Sequence, residues 1–504
     1  MSATFWLPLA VVLSSMIPGL LIFTLREDQM RARTFLNLAG AFVKLALIAV
    51  MLYGVYQGVV YETRIPVMFG FDLVLEATAL PMFFVVLSGV LWLITTIYAI
   101  GYLDLEDSWH RSRFFGFFSI CVSATTGIAL AGNLFTFVIF YELLTLATYP
   151  LVVHNGTEEA MRAGRIYLAY TLSGGAALLL AVVWMHAMVG PFDFEEGGVL
   201  EAFDEEYRHL FRPMFILLLV GLGVKAAMVP LHSWLPIAMV APAPVSALLH
   251  AVAVVKAGAY GIVRVVYDVF GIHYFGDLQL GRLLVIAASV TIIYGSLQAL
   301  AQSSLKRRLA FSTISQVSFI MLGVGLIGPV ASIGGIVHLV HQGLMKITLF
   351  FCAGNIAETL GLKEIGDMSG IGRRMPLTMA AFTVASLGMI GVPPLAGFVT
   401  KWYLGMGAIE VGQSWVLIVL VISSALNAAY FLPIIHGAYF REPTLPWPKD
   451  DTRWALEARP SLLWPTVATA VLVLLAGVFA AAPLSPVAWI EIVLQRIYPP
   501  VGGG

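Results

Sequence analysis

Charged residues are scarce in this sequence. Asp, Glu, Lys and Arg together make up 11% of its 504 residues, whereas soluble proteins carry about 25%. Hydrophobic residues make up 60% of the chain, and the mean hydropathy is +0.91. Apolar runs near the ~20 residues that a bilayer requires recur along its whole length. This composition excludes a soluble protein and predicts an all-α polytopic membrane protein.

Neither sign of charge is in excess, and cysteine is nearly absent. The formal net charge is −1, which gives no reason to expect a nucleic-acid partner. The two cysteines, Cys121 and Cys352, lie in apolar segments and are too few for a disulfide framework or a metal cluster. The N-terminal stretch has no basic segment before it and is long enough to be the first span, so we expect no cleavable signal.

Cofactor motifs are also missing. The sequence contains no phosphate-binding loop, no dinucleotide-binding glycine fingerprint between a strand and a helix, and no cysteine set for an iron–sulfur centre. No histidine pair favours haem ligation over proton transfer. We therefore expect no cofactor, no metal site and no chemistry in this chain by itself. Membership of a larger redox-driven complex is left open.

The apolar runs predict about fourteen transmembrane helices, two of them broken. The seventh span is interrupted at Pro230 and the twelfth at Pro393-Pro394. Interrupted spans at corresponding places in two halves indicate inverted repeats around a transport site. The predicted parts are N-terminal helices 1–3 (1–111), a first five-helix repeat (112–270), a second five-helix repeat (271–440), and helix 14 with the tail (441–504). An apolar stretch in that tail is expected to lie at an interface.

Lys and Arg in the connections set the predicted orientation. The odd-numbered connections hold seventeen, Lys449 and Arg453 among them, and the even-numbered ones hold five. Those five are Arg64, Arg208, Arg212, Arg264 and Arg282. The odd connections are therefore predicted to be cytoplasmic, with both termini on the outer, periplasmic side of the cell's inner (plasma) membrane.

Several titratable residues interrupt the apolar spans. A lysine in hydrocarbon costs at least ~2.5–3.5 kcal/mol, so it is retained only where it faces protein or water. The candidates for a proton relay are Glu142, Lys225, Lys256, His338, His341, Lys346 and Lys401, with His232, His250, Ser315 and Gln316 as supporting or water-wire residues.

Each candidate also has a structural interpretation. Glu142 and Lys225 are predicted to form a coupled pair, and the alternative is a fixed ion pair that holds helices together. One carboxylate cannot neutralise several lysines, so some of them must be neutral or wetted for part of the time, as a relay requires. Lys346 has the alternative of extending to an interface. Lys44, in the second span, is expected to face lipid or another subunit.

Five segments carry a family resemblance: YELLTLATYP (141–150), KAAMVPLHSWLPIAMVAPAPVSALLHAVAVVKAGAY (225–260), SLKRRLAFSTISQVSF (304–319), HLVHQGLMKITLFFCAG (338–354) and GVPPLAGFVTKW (391–402). They resemble the antiporter-like subunits shared by complex I, membrane-bound hydrogenases and Mrp multisubunit cation/proton antiporters, and among these the D-type Mrp subunits most. The resemblance implies two inverted five-helix repeats, broken helices 7 and 12, and a charged axis along the membrane mid-plane.

The resemblance also implies roles for individual residues. Glu142 matches the helix-5 glutamate, Lys225 the helix-7 lysine and Lys256 the helix-8 lysine. Lys401 matches the helix-12 residue at the exit half-channel, and His338 with His341 match the helix-11 region that links the two half-channels.

The function expected from these observations is proton translocation in an Mrp-type Na⁺(K⁺)/H⁺ antiporter. The expected partners are the other membrane subunits, H⁺ with Na⁺ or K⁺, and the bilayer. The alternatives are a proton-pumping M- or N-type subunit of NADH:quinone oxidoreductase or of a membrane-bound hydrogenase, and a scaffold paralogue that no longer transports.

Overall fold

The structure is a computed structural model that describes residues 3–68, 70–104, 110–443 and 457–498. Within these residues, thirteen helices are long and apolar enough to cross a membrane. The twelfth predicted span consists of two shorter helices, and the predicted helical, multi-pass fold is confirmed. Lys449, Arg453 and the glycine-rich end, 501–504, lie outside the described residues.

The helices in the first half of the chain are α1 (Ala3–Ile22), α2 (Met30–Tyr56), α3 (Ala79–Leu103), α4 (Arg111–Leu130), α5 (Leu134–Val152), α6 (Glu158–Val189), α7 (Asp204–Lys225), α8 (Trp234–Ile237), α9 (Ala243–Ala247), α10 (Val254–Arg264) and α11 (Ile272–Asp277). Those in the second half are α12 (Leu280–Leu300), α13 (Leu305–Gly325), α14 (Pro329–Leu360), α15 (Ile371–Arg374), α16 (Pro376–Ile390), α17 (Ala396–Glu410), α18 (Val416–Phe440), α19 (Pro460–Val478) and α20 (Pro486–Ile497). Short 3₁₀ segments span Leu200–Phe203, Ala238–Val240 and Ile365–Met368, and π-helical segments span Leu248–Val252 and Val265–Phe270.

Both predicted helix breaks are present. α7 ends at Lys225, and the chain turns through Pro230 before α8. The Trp234 indole N–H donates to the Val224 carbonyl at 2.7 Å, which satisfies one of the acceptors freed at the end of α7. The other break separates α16 from α17, where Pro393 and Pro394 cannot donate to a helical ladder.

A third break lies in the eighth span, and the sequence analysis does not predict it. α9 runs into the π-helical segment Leu248–Val252, the backbone bends at Ala253 (φ −111°, ψ −81°), and α10 begins at Val254. A π-helical turn leaves the regular i→i−4 ladder and is frequent at functional sites. At the twelfth-span break, the Met389 and Ile390 carbonyls lie next to the ammonium group of Lys401.

A β-hairpin joins α2 to α3, and the sequence analysis does not predict it either. Its antiparallel strands β1 (Tyr61–Met68) and β2 (Phe71–Ala77) pair Tyr61 with Ala77. The Val74 N–H donates to Thr136 Oγ1 at 2.8 Å, and the Gly132 N–H donates to the Val74 carbonyl at 2.9 Å. These bonds fix the hairpin over the start of α5, and we call this side of the protein the hairpin face.

Three helices form the centre of the molecule. The most apolar windows of the eighth, tenth and eleventh spans are 94–100% buried, whereas those of the first two spans are 33% buried. The outer helices therefore present apolar side chains to the surroundings, while α10, α13 and α14 are enclosed by protein. The tail helix α20 also packs on the protein, against α3 and α14, with Val487, Ile490 and Val493 buried.

A buried line of lysines and histidines

Lys225 occupies the last residue of α7 and is fully buried. Its ammonium group donates to the Tyr141 carbonyl and lies 3.3 Å from the centre of the Tyr141 ring. The Tyr141 hydroxyl in turn donates to the Gly221 carbonyl at 2.9 Å. Tyr141 of α5 therefore contacts α7 through both its backbone carbonyl and its hydroxyl group. A cation held against an aromatic face in a desolvated site is stabilised by about 2 kcal/mol.

Glu142 is close enough to Lys225 to interact electrostatically but does not contact it. Within the described residues, no ion pair of 4 Å or less joins the two side chains, and the buried Glu142 Oε1 has no hydrogen-bond partner. The carboxyl group lies against Gly175 of α6, where a side chain would collide with it. The structure therefore brings the two residues into one site without the closed ion pair that a purely structural role would require.

Lys256 lies in α10, three residues after the bend at Ala253. It is fully buried, and its Nζ has no hydrogen-bond partner among the described residues. It interacts electrostatically with His338, His341 and Lys346 of α14. An unsatisfied ammonium group in a protein interior is expensive, so this arrangement suits the neutral amine or a transiently hydrated cation.

Lys346 has two acceptors on α13. Its ammonium donates to the Leu309 carbonyl at 3.0 Å and to Ser312 Oγ. The side chain is fully buried. It does not extend to an interface, which was the alternative considered for it.

His338 and His341 share one partner, which the sequence analysis missed. The Nδ1 atoms of the two rings lie 3.2 Å and 3.0 Å from the same hydroxyl oxygen, Thr400 Oγ1 of α17. Their Nε2 atoms are buried and have no partner within the described chain. A threonine hydroxyl has one hydrogen and two lone pairs, so it can donate to only one of the two rings. The protonation of the two Nδ1 atoms is thereby linked.

Lys401 follows the break in the twelfth span and contacts more hydrogen-bond acceptors than Lys225, Lys256 or Lys346 does. Its Nζ donates to the Met389 carbonyl at 3.2 Å, the Ile390 carbonyl at 2.7 Å and Ser424 Oγ at 2.8 Å. The two carbonyls belong to the open end of α16, where the helix dipole also favours a cation. Lys401 and Ser424 line an open, mostly apolar surface cavity of about 560 Å³ between α17 and α18.

The lysines therefore differ in how many acceptors they contact. Lys401 has three, Lys346 two, Lys225 one carbonyl and a ring, and Lys256 none in the described chain. An ammonium group has three N–H donors and a neutral amine two. Of the four, only Lys401 has one acceptor for each N–H of the ammonium form, and the other three are held in sites that also accommodate the neutral amine.

The four supporting candidates have different surroundings. His250 stacks on Phe350 with ring centres 4.5 Å apart, and neither of its ring nitrogens has a partner in the described residues. His232 packs edge-on against Tyr294 beside the seventh-span break. Ser315 is hydrogen-bonded to Ser296 at 2.8 Å, which joins α12 to α13. Gln316 is 1% exposed, and both polar atoms of its amide lack a partner in the described chain.

Two further interpretations of the sequence need correction. Lys44 faces neither lipid nor another subunit: it is fully buried and donates to Ser15 Oγ at 2.9 Å and Thr126 Oγ1 at 2.6 Å. Arg264 does not belong to a connection. It is the last residue of α10, is 4% exposed, and pairs with Asp268 at 2.9 Å. The Lys44 error arose because hydropathy alone does not tell which side of a helix faces the centre, and the Arg264 error arose because the eighth span continues past Arg264 as the π-helical segment Val265–Phe270.

Fold and site together define a polytopic helical membrane protein with titratable groups enclosed between helix breaks. The sequence model of the family described as "NADH:quinone oxidoreductase/Mrp antiporter, TM" matches residues 131–427, more than half of the chain. The chain belongs to this family.

Relatives and solved structures agree with this assignment. The chain is 34% identical over 433 residues to the N-type subunit of NADH-quinone oxidoreductase from Desulforudis audaxviator, covering 83% of this chain and 84% of that protein. It is 27% identical over 508 residues to the D-type subunit of the Na⁺/H⁺ antiporter from Bacillus subtilis, covering 96% and 99%. A chain in the structure of the Mrp complex from Dietzia sp. DQ12-45-1b superimposes with a TM-score of 0.85 at 24% identity, covering 99% and 98%. The relatives named here belong to multisubunit membrane complexes.

Proposed function

We propose that this chain is the proton-translocating, antiporter-like subunit of an Mrp-type Na⁺(K⁺)/H⁺ antiporter. The observation that carries the proposal is the uneven supply of acceptors along the buried lysines. A line of sites that all fixed the ammonium form would hold protons without passing them on. Here Lys256 has no acceptor in the described chain. It interacts electrostatically with His338 and Lys346, which do have hydrogen-bond partners.

The first step is proposed at Glu142 and Lys225. The Lys225 side chain is long and flexible, and its ammonium bonds to the Tyr141 carbonyl instead of the Glu142 carboxylate. Movement toward Glu142 would stabilise both charges, and movement back to the carbonyl would weaken that stabilisation and favour release of the proton. Glu142 and Lys225, which do not contact each other directly, are thus the pair through which an outside charge acts on the relay.

The second step crosses from α10 to α17 through the two histidines. Lys256 interacts with both rings, and Thr400 joins the rings to each other. A proton that arrives on the Nδ1 of one ring makes that nitrogen a donor, so the Thr400 hydroxyl accepts from it and is free to donate to the Nδ1 of the other ring. Lys401, which lines the surface cavity between α17 and α18, is the proposed final site.

The location of the chain in the cell is part of the proposal. We infer that it resides in the cell's inner (plasma) membrane with both termini on the outer side, because Lys and Arg are concentrated in the odd connections. The two inverted five-helix repeats, residues 112–270 and 271–440, likewise stay a prediction, supported by breaks in the seventh and twelfth spans.

A second function has its own support. The 34% identity to an N-type subunit of NADH-quinone oxidoreductase favours a proton-pumping subunit of a redox-driven complex, in which the same relay would be driven by electron transfer elsewhere. The relay itself does not distinguish the two energy sources.

Purification of the tagged chain from its native membrane in mild detergent separates the two functions. Co-purifying chains are identified by mass spectrometry, and the sample is assayed for flavin and iron. Small hydrophobic partners without either cofactor, together with Na⁺- or K⁺-dependent proton movement in proteoliposomes, support the antiporter. Flavin, iron and peripheral subunits would assign the chain to a redox-driven pump instead.

A further inference from the structure

Four polar side chains form a ladder on one face of the eighth span, from the relay to the hairpin face. Lys256, Tyr260, Arg264 and Asp268 follow one another at intervals of four residues, which places them on one side of the helix. Twelve residues at 1.5 Å each carry this ladder about 18 Å, more than half of the ~30 Å hydrocarbon thickness. All four side chains are buried. This ladder would offer protons on Lys256 a direct way out that bypasses His338, His341 and Lys401.

The ladder is interrupted at Arg264. Its Nε lies 2.9 Å from Asp268 Oδ2, and its Nη2 donates to the Ala131 carbonyl at 3.2 Å. The guanidinium group also lies 4.5 Å from the centre of the Phe194 ring. Arginine does not release its proton in proteins and has no acceptor atom, so it can neither pass a proton on nor receive one.

The connection between α6 and α7 covers this pair from the hairpin face. The Phe194 N–H donates to the Gly132 carbonyl at 2.8 Å, the Glu195 N–H to the Asp268 carbonyl at 3.2 Å, and the Val199 N–H to the Val269 carbonyl at 2.9 Å. Phe194 itself is 7% exposed. Beyond the pair, Glu76 of β2 interacts electrostatically with Arg264 and Asp268, and Glu196 interacts with Asp268. Negative charge therefore lies on the hairpin side, and the fixed positive charge lies between it and Lys256.

We propose that Arg264, held by Asp268, Ala131 and Phe194, is an electrostatic plug that closes the direct route between Lys256 and the hairpin face. This inference rests on the proposed proton relay and adds the point at which that relay ends on the side of the hairpin face. A fixed cation in a narrow, dehydrated path repels protons and other cations, as in pores that exclude protons with an arginine. Asp268 positions the guanidinium group and offsets the cost of burying it. Protons on Lys256 are thereby directed sideways to the histidines, and leakage is prevented.

The experiment measures passive proton leak in proteoliposomes that contain the purified native complex, with a pH gradient and no Na⁺ or K⁺ gradient. We expect Arg264→Gln, which keeps hydrogen-bonding capacity but removes the charge, to raise the leak at least tenfold. The double variant R264M/D268N removes both charges, avoids an unpaired aspartate and should leak similarly. This double variant replaces Arg264→Gln in the leak measurement if the single variant does not assemble. Addition of Lys256→Met to a leaking variant should abolish the leak.

Two controls separate charge from packing. Asp268→Asn keeps the arginine, which the Ala131 carbonyl and the Phe194 ring still hold in place, and should stay tight. Arg33→Gln should also stay tight: Arg33 is 3% exposed and bonded to Ser112 at 2.8 Å, at the other end of the bundle. The proposal is overturned if assembled Arg264 variants are as tight as wild type, if D268N leaks equally, or if the leak persists without Lys256. Because no cation gradient is applied, a failure here is distinct from loss of coupled transport, which Glu142→Gln tests.

Discussion

Replacement of Thr400 by valine removes one hydroxyl group and leaves the shape of the side chain almost unchanged. In the wild type this hydroxyl contacts His338 Nδ1 at 3.2 Å and His341 Nδ1 at 3.0 Å. The Nε2 atoms of both rings already lack partners among the described residues. The variant therefore removes the side-chain partner that the two buried imidazoles share on α17, and it breaks the link between their protonation states.

The size of the effect follows from two hydrogen bonds at about 1 kcal/mol each, so we expect a loss of about 2 kcal/mol. If this loss falls on the transfer of a proton between the rings, transport slows about 30-fold. Folding should survive, because valine fills the same volume between α14 and α17. Cation-driven proton movement in proteoliposomes measures the rate, and gel filtration of the complex checks assembly.

Thr400→Ser is the matched variant, since it keeps the hydroxyl and loses only a methyl group. It should transport at close to the wild-type rate. Equal rates for T400V and wild type would refute the idea that the two histidines act through this hydroxyl. Equal impairment of T400V and T400S would show that packing, not the hydroxyl, is what matters at this position.

Four further predictions concern single side chains. Glu142→Gln should abolish transport while the complex still assembles, and retained transport in proteoliposomes would discard the proposed role of the Glu142–Lys225 pair. Lys401→Ala should block the final site, so unaffected antiport would remove Lys401 from the path. Lys44→Met should leave transport within about twofold of wild type, because Lys44 bonds only to neutral hydroxyls away from the relay; a larger loss would add Lys44 to it. Burial raises the pKa of Glu76 to about 6, above its ordinary value of 4.5. Its ionised form therefore opposes folding, and about 2 kcal/mol of stability is lost as the pH rises from 4.5 through 6. Glu76→Gln should be as stable as wild type at pH 4.5 and more stable at pH 7.5 in thermal unfolding, and the opposite pH trend would contradict this reasoning.

The burial of Lys225, Lys256 and Lys346 could be predicted because a charge in an apolar span costs several kcal/mol wherever it faces lipid. The breaks at Pro230 and Pro393-Pro394 could be predicted for a similar reason, since proline cannot donate to a helix. The bend at Ala253 has no such signal, because neither proline nor glycine marks it.

Other features depend on which helices meet, and a single sequence does not contain that information. Thr400 is an ordinary helical residue until α17 is placed beside His338 and His341. Hydropathy assigns Lys44 to the lipid surface, because only the packed bundle shows α2 turning that face toward α1 and α4. The separation between Glu142 and Lys225 likewise depends on the arrangement of α5, α6 and α7.

Lys401 ties α17 to the open end of α16 through its own protonation. The ammonium group supplies three hydrogens, and the Met389 carbonyl, the Ile390 carbonyl and Ser424 Oγ receive them. A neutral amine has only two. Loss of a proton from Lys401 therefore removes one of the three hydrogen bonds that join α17 to α16 and α18. In the proposed relay, passage of a proton through Lys401 would therefore loosen and then restore the contacts of α17 with α16 and α18.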